Sequence, residues 1–189
     1  MKTLLTLLGV LLCALASGQE SDVGARLETL RLQSVEQIPF LEERHSVILA
    51  EPALYRGYLR YDPATRLMQK VVESPQAVTM AVDESNIYLE RDGERRTIGL
   101  RSRPELGALL AGFRGLLEGD SEQLEKYFTL DYLEDAESWT LRLTPRNRRL
   151  KRHVDELVVD GRDATVSGIR TQMKNGDWQQ LILTPDRAP

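Results

Sequence analysis

The sequence is poor in the side chains on which enzymes and metal centres depend. Its 189 residues include one cysteine, Cys13, and two histidines, His45 and His153. It contains no His-Glu-x-x-His motif, Gly-x-Ser-x-Gly elbow, phosphate-binding glycine loop or dinucleotide fingerprint. Adjacent carboxylates such as Glu42 and Glu43 lie in predicted strands, where neighbouring side chains point to opposite faces and do not converge as an acid–base pair. We therefore predict a non-catalytic protein that uses no metal and no cofactor.

An excess of positive charge is also lacking. The chain has 25 Lys and Arg against 29 Asp and Glu, a formal net charge of −4, so it has no electrostatic footprint for nucleic acid. One local basic cluster occurs, and it is either a solvated segment or a surface for an acidic partner or anionic lipid head groups. The cluster consists of Arg146, Arg148, Arg149, Lys151 and Arg152.

Long apolar runs are missing except at the N-terminus. There a positively charged start precedes an apolar stretch over residues 4–16, which small residues follow. This layout is typical of a cleavable secretory signal peptide, and the stretch is shorter than the roughly 20 residues that a membrane-spanning helix needs. We predict a signal peptide over residues 1–18, export to the periplasm, and a single domain over residues 19–189. The alternatives are an uncleaved anchor and a lipoprotein acylated at Cys13, although Leu12 is large for the position before an acylated cysteine.

Most of the remaining sequence has the pattern of strands joined by short turns. Asp-Gly at 92–93, Asp-Gly at 160–161 and Asn-Gly at 175–176 predict tight hairpins, because primed turns need positive φ. Consecutive hairpins predict an antiparallel sheet, and a sheet of about ten strands curls as strand twist accumulates. The predicted strands cover residues 40–49, 55–61, 66–73, 76–82, 86–91, 94–100, 139–144, 150–159, 164–173 and a last strand from 178.

Two regions have a helical period instead. An apolar stripe predicts a first helix over residues 22–37, which Pro39 ends. A second helix over residues 104–118 carries its large apolar residues on one face, and a short helix follows to about Tyr127. We therefore predict an α+β fold: a curved antiparallel sheet forming an incomplete β-barrel, with an N-terminal helix and a central helical lid. The apolar face of the lid consists of Leu106, Leu109, Leu110, Phe113, Leu116 and Leu117.

Three glycines weaken the helix that we predict as the lid. Gly107, Gly112 and Gly115 lie inside it, and each costs about 1 kcal/mol relative to alanine. Such a helix persists only by packing on another element. The glycines serve either close packing or a lid that lifts to expose apolar side chains to an acyl ligand. On the second reading, alanine at 112 and 115 stabilises the closed lid and slows ligand exchange.

Several short motifs follow one another in a fixed order along the chain after the signal peptide. They are a Phe-x-Glu strand at 40–44; a Gly-x-Leu-x-Tyr…Pro…Leu hairpin at 57–67; Pro75; the segment 116–120 followed by Phe128; and the strand at 139–145. In this order they resemble the periplasmic outer-membrane lipoprotein carrier family (LolA), whose sheet opens with a Phe-x-Gln or Phe-x-Glu strand, and more closely its divergent LolA-like branch. Each motif is short, but together they span nearly all of the chain after the signal peptide.

The resemblance implies a function and a set of partners. The family fold is an incomplete barrel with helices as its lid and an apolar cavity that holds the acyl chains of lipoproteins, which the carrier moves from the inner to the outer membrane. By this analogy the partners are acyl chains of lipoproteins or another lipid, with transfer partners at both membranes, and the carrier is a monomer. The lid residues named above would line the cavity, together with five residues from the sheet: Phe40, Met80, Trp139, Leu141 and Leu143.

One position departs from the family pattern. Carriers of the family have an arginine before the proline of the second hairpin, which ties the sheet to the lid, whereas this chain has Asp62 before Pro63. Arg60 or Arg66 could take over that contact. The departure leaves two other functions open: binding of another amphiphile, such as a glycolipid or an acylated metabolite, and an envelope sensing or protein-interaction module.

Overall fold

The computed structural model describes residues 23–30 and 36–184 and has one open sheet of antiparallel strands covered by helices. Along the sheet the strand order is β6-β5-β4-β3-β2-β1-β11-β10-β9-β8-β7. The elements are α1 Val23–Leu30, β1 Glu36–His45, β2 Ala53–Asp62, β3 Leu67–Ser74, β4 Val78–Val82, β5 Asn86–Arg91, β6 Glu94–Gly99, α2 Pro104–Glu118, α3 Ser121–Tyr127, β7 Phe128–Glu134, β8 Trp139–Pro145, β9 Val154–Arg162, β10 Thr165–Met173 and β11 Trp178–Leu183, with 3-10 turns at Leu100–Ser102 and Leu150–Arg152.

The strand order explains why the helices lie across the sheet. The first and last strands pair at its centre, where Phe40 of β1 faces Leu183 of β11. The two edges are β6 and β7, which are consecutive strands in the sequence. The segment 100–127 must therefore cross from one edge to the other, and α2 and α3 form within it. This arrangement confirms the predicted α+β fold with an incomplete barrel.

Local turn chemistry predicted most of the hairpins correctly. At the β5–β6 turn Asp92 and Gly93 have φ of 53° and 79°, as a primed turn requires. Gly176 in the β10–β11 turn has φ of 92°. The prediction of a hairpin at 160–161 is wrong, because both residues lie inside β9 and the turn comes later, where Asp163 has φ of 47°.

Gly161 shows why that hairpin signal misled. A Cβ at this position would lie 2.1 Å from Cζ2 of Trp139 and 2.4 Å from the carbonyl oxygen of Thr165. The glycine therefore gives room for the indole ring to lie against the strand, which is another common use of glycine in a sheet. Trp139 pairs with Gly161 across β8 and β9 and is only 2% exposed.

Four further boundaries differ from the predictions, and one belongs to the first strand, which was predicted over residues 40–49 but covers Glu36–His45. The first helix does not reach Gln37, because Glu36 and Gln37 pair in β1 with Tyr61 and Arg60 of β2; its predicted first residue and residues 31–35 lie outside the described part. Strand β7 was missed, since it follows α3 without a turn residue between them. The strand predicted from residue 150 begins at 154, after a 3-10 turn. Pairing with β2 keeps Glu36 and Gln37 out of the first helix, and no local sequence pattern reveals this distant partner.

Candidate functional site

The helix α2 is fixed at its C-terminal end by a sharp corner. Gly119 adopts the left-handed conformation at φ of 66°, and its N–H donates to the carbonyl oxygens of Gly115 and Leu116. The Asp120 carboxylate then caps α3 by accepting from the N–H of Gln123 at 2.9 Å. Glycine after a helix and aspartate at the next N-cap are favoured for these roles. The sequence thus determines the angle between α2 and α3.

The small residues of α2 form its most tightly packed face. Ala108, Gly112 and Gly115 are buried, together with Leu116. A Cβ at Gly112 would lie 2.3 Å from Cε2 of Phe128, at the start of β7, and one at Gly115 would lie 3.1 Å from Cγ of Leu124 in α3. The glycines therefore let α2 approach α3 and β7 closely. This contact argues against the expectation that alanine at 112 stabilises the closed lid, because Phe128 or α2 would have to shift to make room for the methyl group.

The large apolar residues of α2 are less well buried than its small ones. Leu116 is 4% exposed, whereas the other five predicted lid residues are only half-buried. Four of these five pack on a small cluster whose buried members are Tyr61, Met68, Val82 and Ile87, one each from β2 to β5. We call this group the second cluster. In this conformation, side chains of α2 pack on the second cluster, where the resemblance implies an apolar cavity. The α2 residues that contact the second cluster are Leu106, Leu110, Phe113 and Leu117.

The predicted sheet residues are divided between the second cluster and a larger core. Met80 is half-buried beside the second cluster. The other four, Phe40, Trp139, Leu141 and Leu143, are at most 4% exposed and belong to the large core, which we call the first cluster. Leu109 packs on the first cluster and Phe113 on both. The structure thus divides both the lid residues and the sheet residues between the two clusters, and their role as ligand contacts stays a prediction.

An arginine does tie the sheet to the end of α2. Arg66, in the β2–β3 turn, donates from Nε and Nη2 to the two carboxylate oxygens of Glu118, both at 2.8 Å. The Tyr61 hydroxyl donates to the same carboxylate at 2.8 Å. Burial raises the pKa of the Tyr61 hydroxyl to about 12, and the hydrogen bond to Glu118 adds to this shift. We call these three residues the latch.

Asp62, which stands where the family has arginine, has a different role. Its carboxylate accepts from the N–H of Ala64 at 2.9 Å and from the hydroxyl of Thr65 at 2.8 Å, so it shapes the β2–β3 turn. The hydrogen bond from Thr65 is the main cause that lowers the pKa of Asp62. Of the two arginines that the sequence offered as substitutes, Arg66 makes the contact with α2, while Arg60 is exposed.

A buried charged network on β1 was missed in the sequence. Glu42 is fully buried and accepts from Lys70 Nζ at 2.7 Å and from Arg44 Nη2 at 3.0 Å. Lys70 also lies over the Phe40 ring at 4.9 Å. Burial lowers the pKa of Lys70, and the charge of Glu42 opposes this effect. The available signal was the alternation along β1, which places Glu42 on the inward face two residues after Phe40.

An open groove of about 390 Å³ lies at the end of the sheet where the β3–β4 and β5–β6 turns meet. Within the described residues its lining comes from β3, β4 and β5 and these turns, not from α2. It includes Val72 and Val78, which also belong to or pack on the first cluster. In residues 23–30 and 36–184, no group of three or more His, Cys, Asp or Glu side chains could hold a metal ion, and no helix has the length and apolarity to cross a membrane.

A model of the "outer membrane lipoprotein carrier protein LolA-like" family matches residues 15–187. The chain belongs to this family. A search of curated protein sequences found no match. Among solved structures, this LolA-like protein is similar to a LolA superfamily protein from Nitrosomonas europaea, with 10% identity, a TM-score of 0.47, and coverage of 88% of this chain and 93% of that one. It is also similar to the lipoprotein LppX from Mycobacterium tuberculosis, with 10% identity, a TM-score of 0.46, and coverage of 88% and 95%.

Proposed function

We propose that this LolA-like protein binds acyl chains between α2 and the strands of the second cluster, and carries acylated proteins through the periplasm towards the outer membrane. The observation that carries the proposal is the half-buried state of five large apolar side chains on α2. Four of them face a cluster with only four buried members among the described residues, whereas Leu109 packs on the first cluster. A hydrocarbon chain that enters here replaces protein contacts that are already incomplete.

The energetics favour exchange between side chains and an acyl chain. Each methylene that leaves water contributes about 0.8 kcal/mol, so a long chain offers ample binding energy. Opening α2 costs the contacts of its apolar face, but these residues are only partly buried when closed. Because part of the binding energy is used to lift the helix, the net affinity falls into a range that permits release.

The latch gives the opening a defined point of control. Glu118 is the last residue of α2, and Arg66 and Tyr61 hold it to β2 and the β2–β3 turn. Arg114 donates from Nη2 to the carbonyl oxygen of Asp83 at 3.2 Å, a second contact between α2 and the sheet. Both contacts must break if α2 moves away from the second cluster, whereas the glycine contacts with α3 and β7 can stay intact.

The remaining parts of the proposal concern the setting. A signal peptide over residues 1–18 exports the chain, and residues 19–189 act as one non-catalytic, monomeric domain in the periplasm. The support is the N-terminal sequence pattern, which falls outside the described residues, together with the family to which the chain belongs. Transfer partners at the inner and outer membranes complete the cycle.

A second candidate function is transport of another amphiphile with an anionic head group, such as a glycolipid or an acylated metabolite. The observation that favours it is the buried network on the same inward face as Phe40. Lys70 and Arg44 carry two positive charges against the single charge of Glu42. Mass spectrometry of the lipids that co-purify with the protein separates the two candidates, because only the first yields lipoproteins.

Displacement of a fluorescent fatty acid tests acyl binding and the latch together. We expect saturable binding by the wild-type protein and faster exchange in Arg66→Gln, because α2 then opens more often. Arg60→Gln is the matched control, since Arg60 lies near the end of β2 and is exposed like Arg66, but no hydrogen bond or ion pair joins it to α2 within the described residues. Failure of the wild-type protein to bind the probe saturably contradicts the proposed function.

A further inference from the structure

An exposed apolar loop connects β1 to β2. Val47, Ile48 and Leu49 are consecutive, and they are 62%, 87% and 48% exposed. Leu54, at the start of β2, is 53% exposed. Single exposed apolar residues are common on soluble proteins, but a contiguous group at a loop tip is typical of an interaction site. We call residues 46–49 the apolar loop.

Hydrogen bonds and a ring stack hold the apolar loop in place. The N–H of Leu49 donates to the carbonyl oxygen of Ser46 at 2.9 Å. The N–H of Val47 donates to the Asp177 carboxylate in the β10–β11 turn at 2.9 Å, and this bond is the main cause that lowers the pKa of Asp177. Beside the loop, the His45 ring stacks on Trp178 at 5.6 Å. Two backbone N–H groups of the loop are thus hydrogen-bonded within the protein, while its apolar side chains are exposed.

The basic cluster of the sequence lies at the same end of the sheet. The β10–β11 turn joins the two features, because its Asp177 contacts the apolar loop while the N–H of Lys174 donates to the carbonyl oxygen of His153 at 2.8 Å. His153 directly follows the basic 3-10 turn Leu150–Arg152. Four exposed cations of this segment form no ion pair within the described part of the chain: Arg148, Arg149, Lys151 and Arg152.

We propose that this end of the sheet docks on a lipid bilayer that carries anionic head groups. The apolar loop inserts into the boundary between head groups and acyl chains, and the four cations lie on the head groups beside it. Shallow insertion of apolar side chains combined with basic residues is how peripheral proteins bind such surfaces. A protruding tip suits a soft bilayer better than a protein partner, which would need a matching pocket. The surface does not require that the protein carry acyl chains.

A fluorescent label that senses polarity tests the proposal at the loop itself. In the full chain with Cys13→Ser, the substitution Ile48→Cys allows NBD to be attached at one position. The matched control is Leu133→Cys, because Leu133 is 63% exposed on β7, far from this end of the sheet. With vesicles of equal parts phosphatidylglycerol and phosphatidylcholine, we expect a blue shift and increased intensity at 48 and neither at 133. No change at 48, or equal changes at both positions, overturns the proposal.

Vesicle flotation then measures the contribution of the cations. Replacing the four cations with serine lowers the partition onto the anionic vesicles by about tenfold or more, since each cation near an anionic surface adds to the attraction. Serine at Arg101 and Arg103, which are exposed near the opposite end of β6, is the control and leaves the partition unchanged. Equal loss in both variants, or equal binding to pure phosphatidylcholine, contradicts the role of this surface and leaves the apolar loop to a protein partner.

Discussion

The inward face of the sheet carries one large and one small cluster of buried apolar residues. Among the described residues, the first cluster has 18 buried members and 12 partly buried ones around them. The second cluster has 4 buried members and 8 partly buried ones. Both are covered by the same helix, but among the described residues the buried members of the first are mostly Leu and Val, whereas those of the second are one each of Tyr, Met, Val and Ile. The second cluster lies where α2 is held by the latch, and the first lies where α2 and α3 approach through glycine.

This difference teaches where the structure can open at low cost. A fully buried side chain forfeits most of its van der Waals and hydrophobic contacts when its neighbours move, whereas a half-buried one loses much less. Movement of α2 away from β2–β5 is therefore cheaper than separation of α3 from β7–β9. In the opening that we propose, the glycine contacts of α2 form the hinge side, and the latch lies on the side that opens.

The largest expected difference in stability is between leucine-to-alanine substitutions in the first cluster and beside the second. Leu141→Ala removes a side chain that is 1% exposed in the first cluster, and we expect it to lower the free energy of unfolding by about 3–4 kcal/mol. Leu110→Ala removes a half-buried side chain of α2 and should cost about 1 kcal/mol, but weaken fatty-acid binding more than Leu141→Ala does. Urea denaturation and probe titration measure both. Equal stability losses would show that the two sides are packed alike.

Loss of the Glu42 carboxylate should lower the free energy of unfolding almost as much as Leu141→Ala does. Glu42→Gln leaves Lys70 buried without its counter-charge, and we expect a stability loss of about 3 kcal/mol at neutral pH. The stability difference between the wild-type protein and Glu42→Gln should shrink as the pH approaches 10.5, the pKa of an ordinary lysine, because Lys70 then loses its charge. Glu43→Gln, on the opposite face of β1, is the control and should be near neutral. A small loss in Glu42→Gln would mean that solvent reaches Lys70.

The pH dependence of stability in alkaline solution tests the contribution of Tyr61 to the latch. The unfolded chain loses the Tyr61 proton near pH 10 and the folded protein near 12. The folded state therefore binds this proton more tightly, and its stabilising effect is complete below pH 10 and lost as the pH rises towards 12. Relative to Tyr61→Phe, the wild-type protein should lose about 2–3 kcal/mol over this window. Parallel stability curves for the two proteins would contradict the burial of the hydroxyl.

Alanine at two glycines of α2 should change stability by smaller amounts and in opposite directions. Gly112→Ala should destabilise the protein by about 1–3 kcal/mol, because the new methyl group overlaps the Phe128 ring. Gly107→Ala should stabilise it by about 0.5–1 kcal/mol, since a Cβ there meets only Leu100 at 3.9 Å or more and alanine favours helix. Thermal unfolding of both variants checks this. Stabilisation by alanine at 112 would show that α2 does not lie as close to β7 as described.

Features set by neighbours in the sequence could be predicted. Pro104 and Gly119 bound α2 as expected from helix-end chemistry, and the turn at Asp92 and Gly93 followed from the need for positive φ. The antiparallel sheet followed from consecutive hairpins, so the fold class was accessible from the sequence. The large apolar residues of α2 were grouped correctly on one face because helical periodicity is itself local.

Features set by distant residues could not be predicted in the same way. The tight face of α2 depends on the Phe128 ring meeting Gly112, and the burial of Glu42 depends on Lys70 two strands away. Gly161 matched a turn signal, but it is a glycine inside a strand because the Trp139 indole leaves no room for a Cβ there. In each case the deciding partner is separated in sequence by many residues, so the pattern around the residue does not reveal it.

Photocrosslinking with a diazirine fatty acid tests the central claim most directly. After irradiation, mass spectrometry of peptides maps the residues that the acyl chain contacts. The account predicts adducts on α2 at or near Leu106, Leu110 and Phe113, and on β3–β5 around Met68 and Ile87, competed away by unlabelled fatty acid. Adducts on the first cluster or only on the exposed apolar loop, with α2 unlabelled, would contradict binding beneath α2.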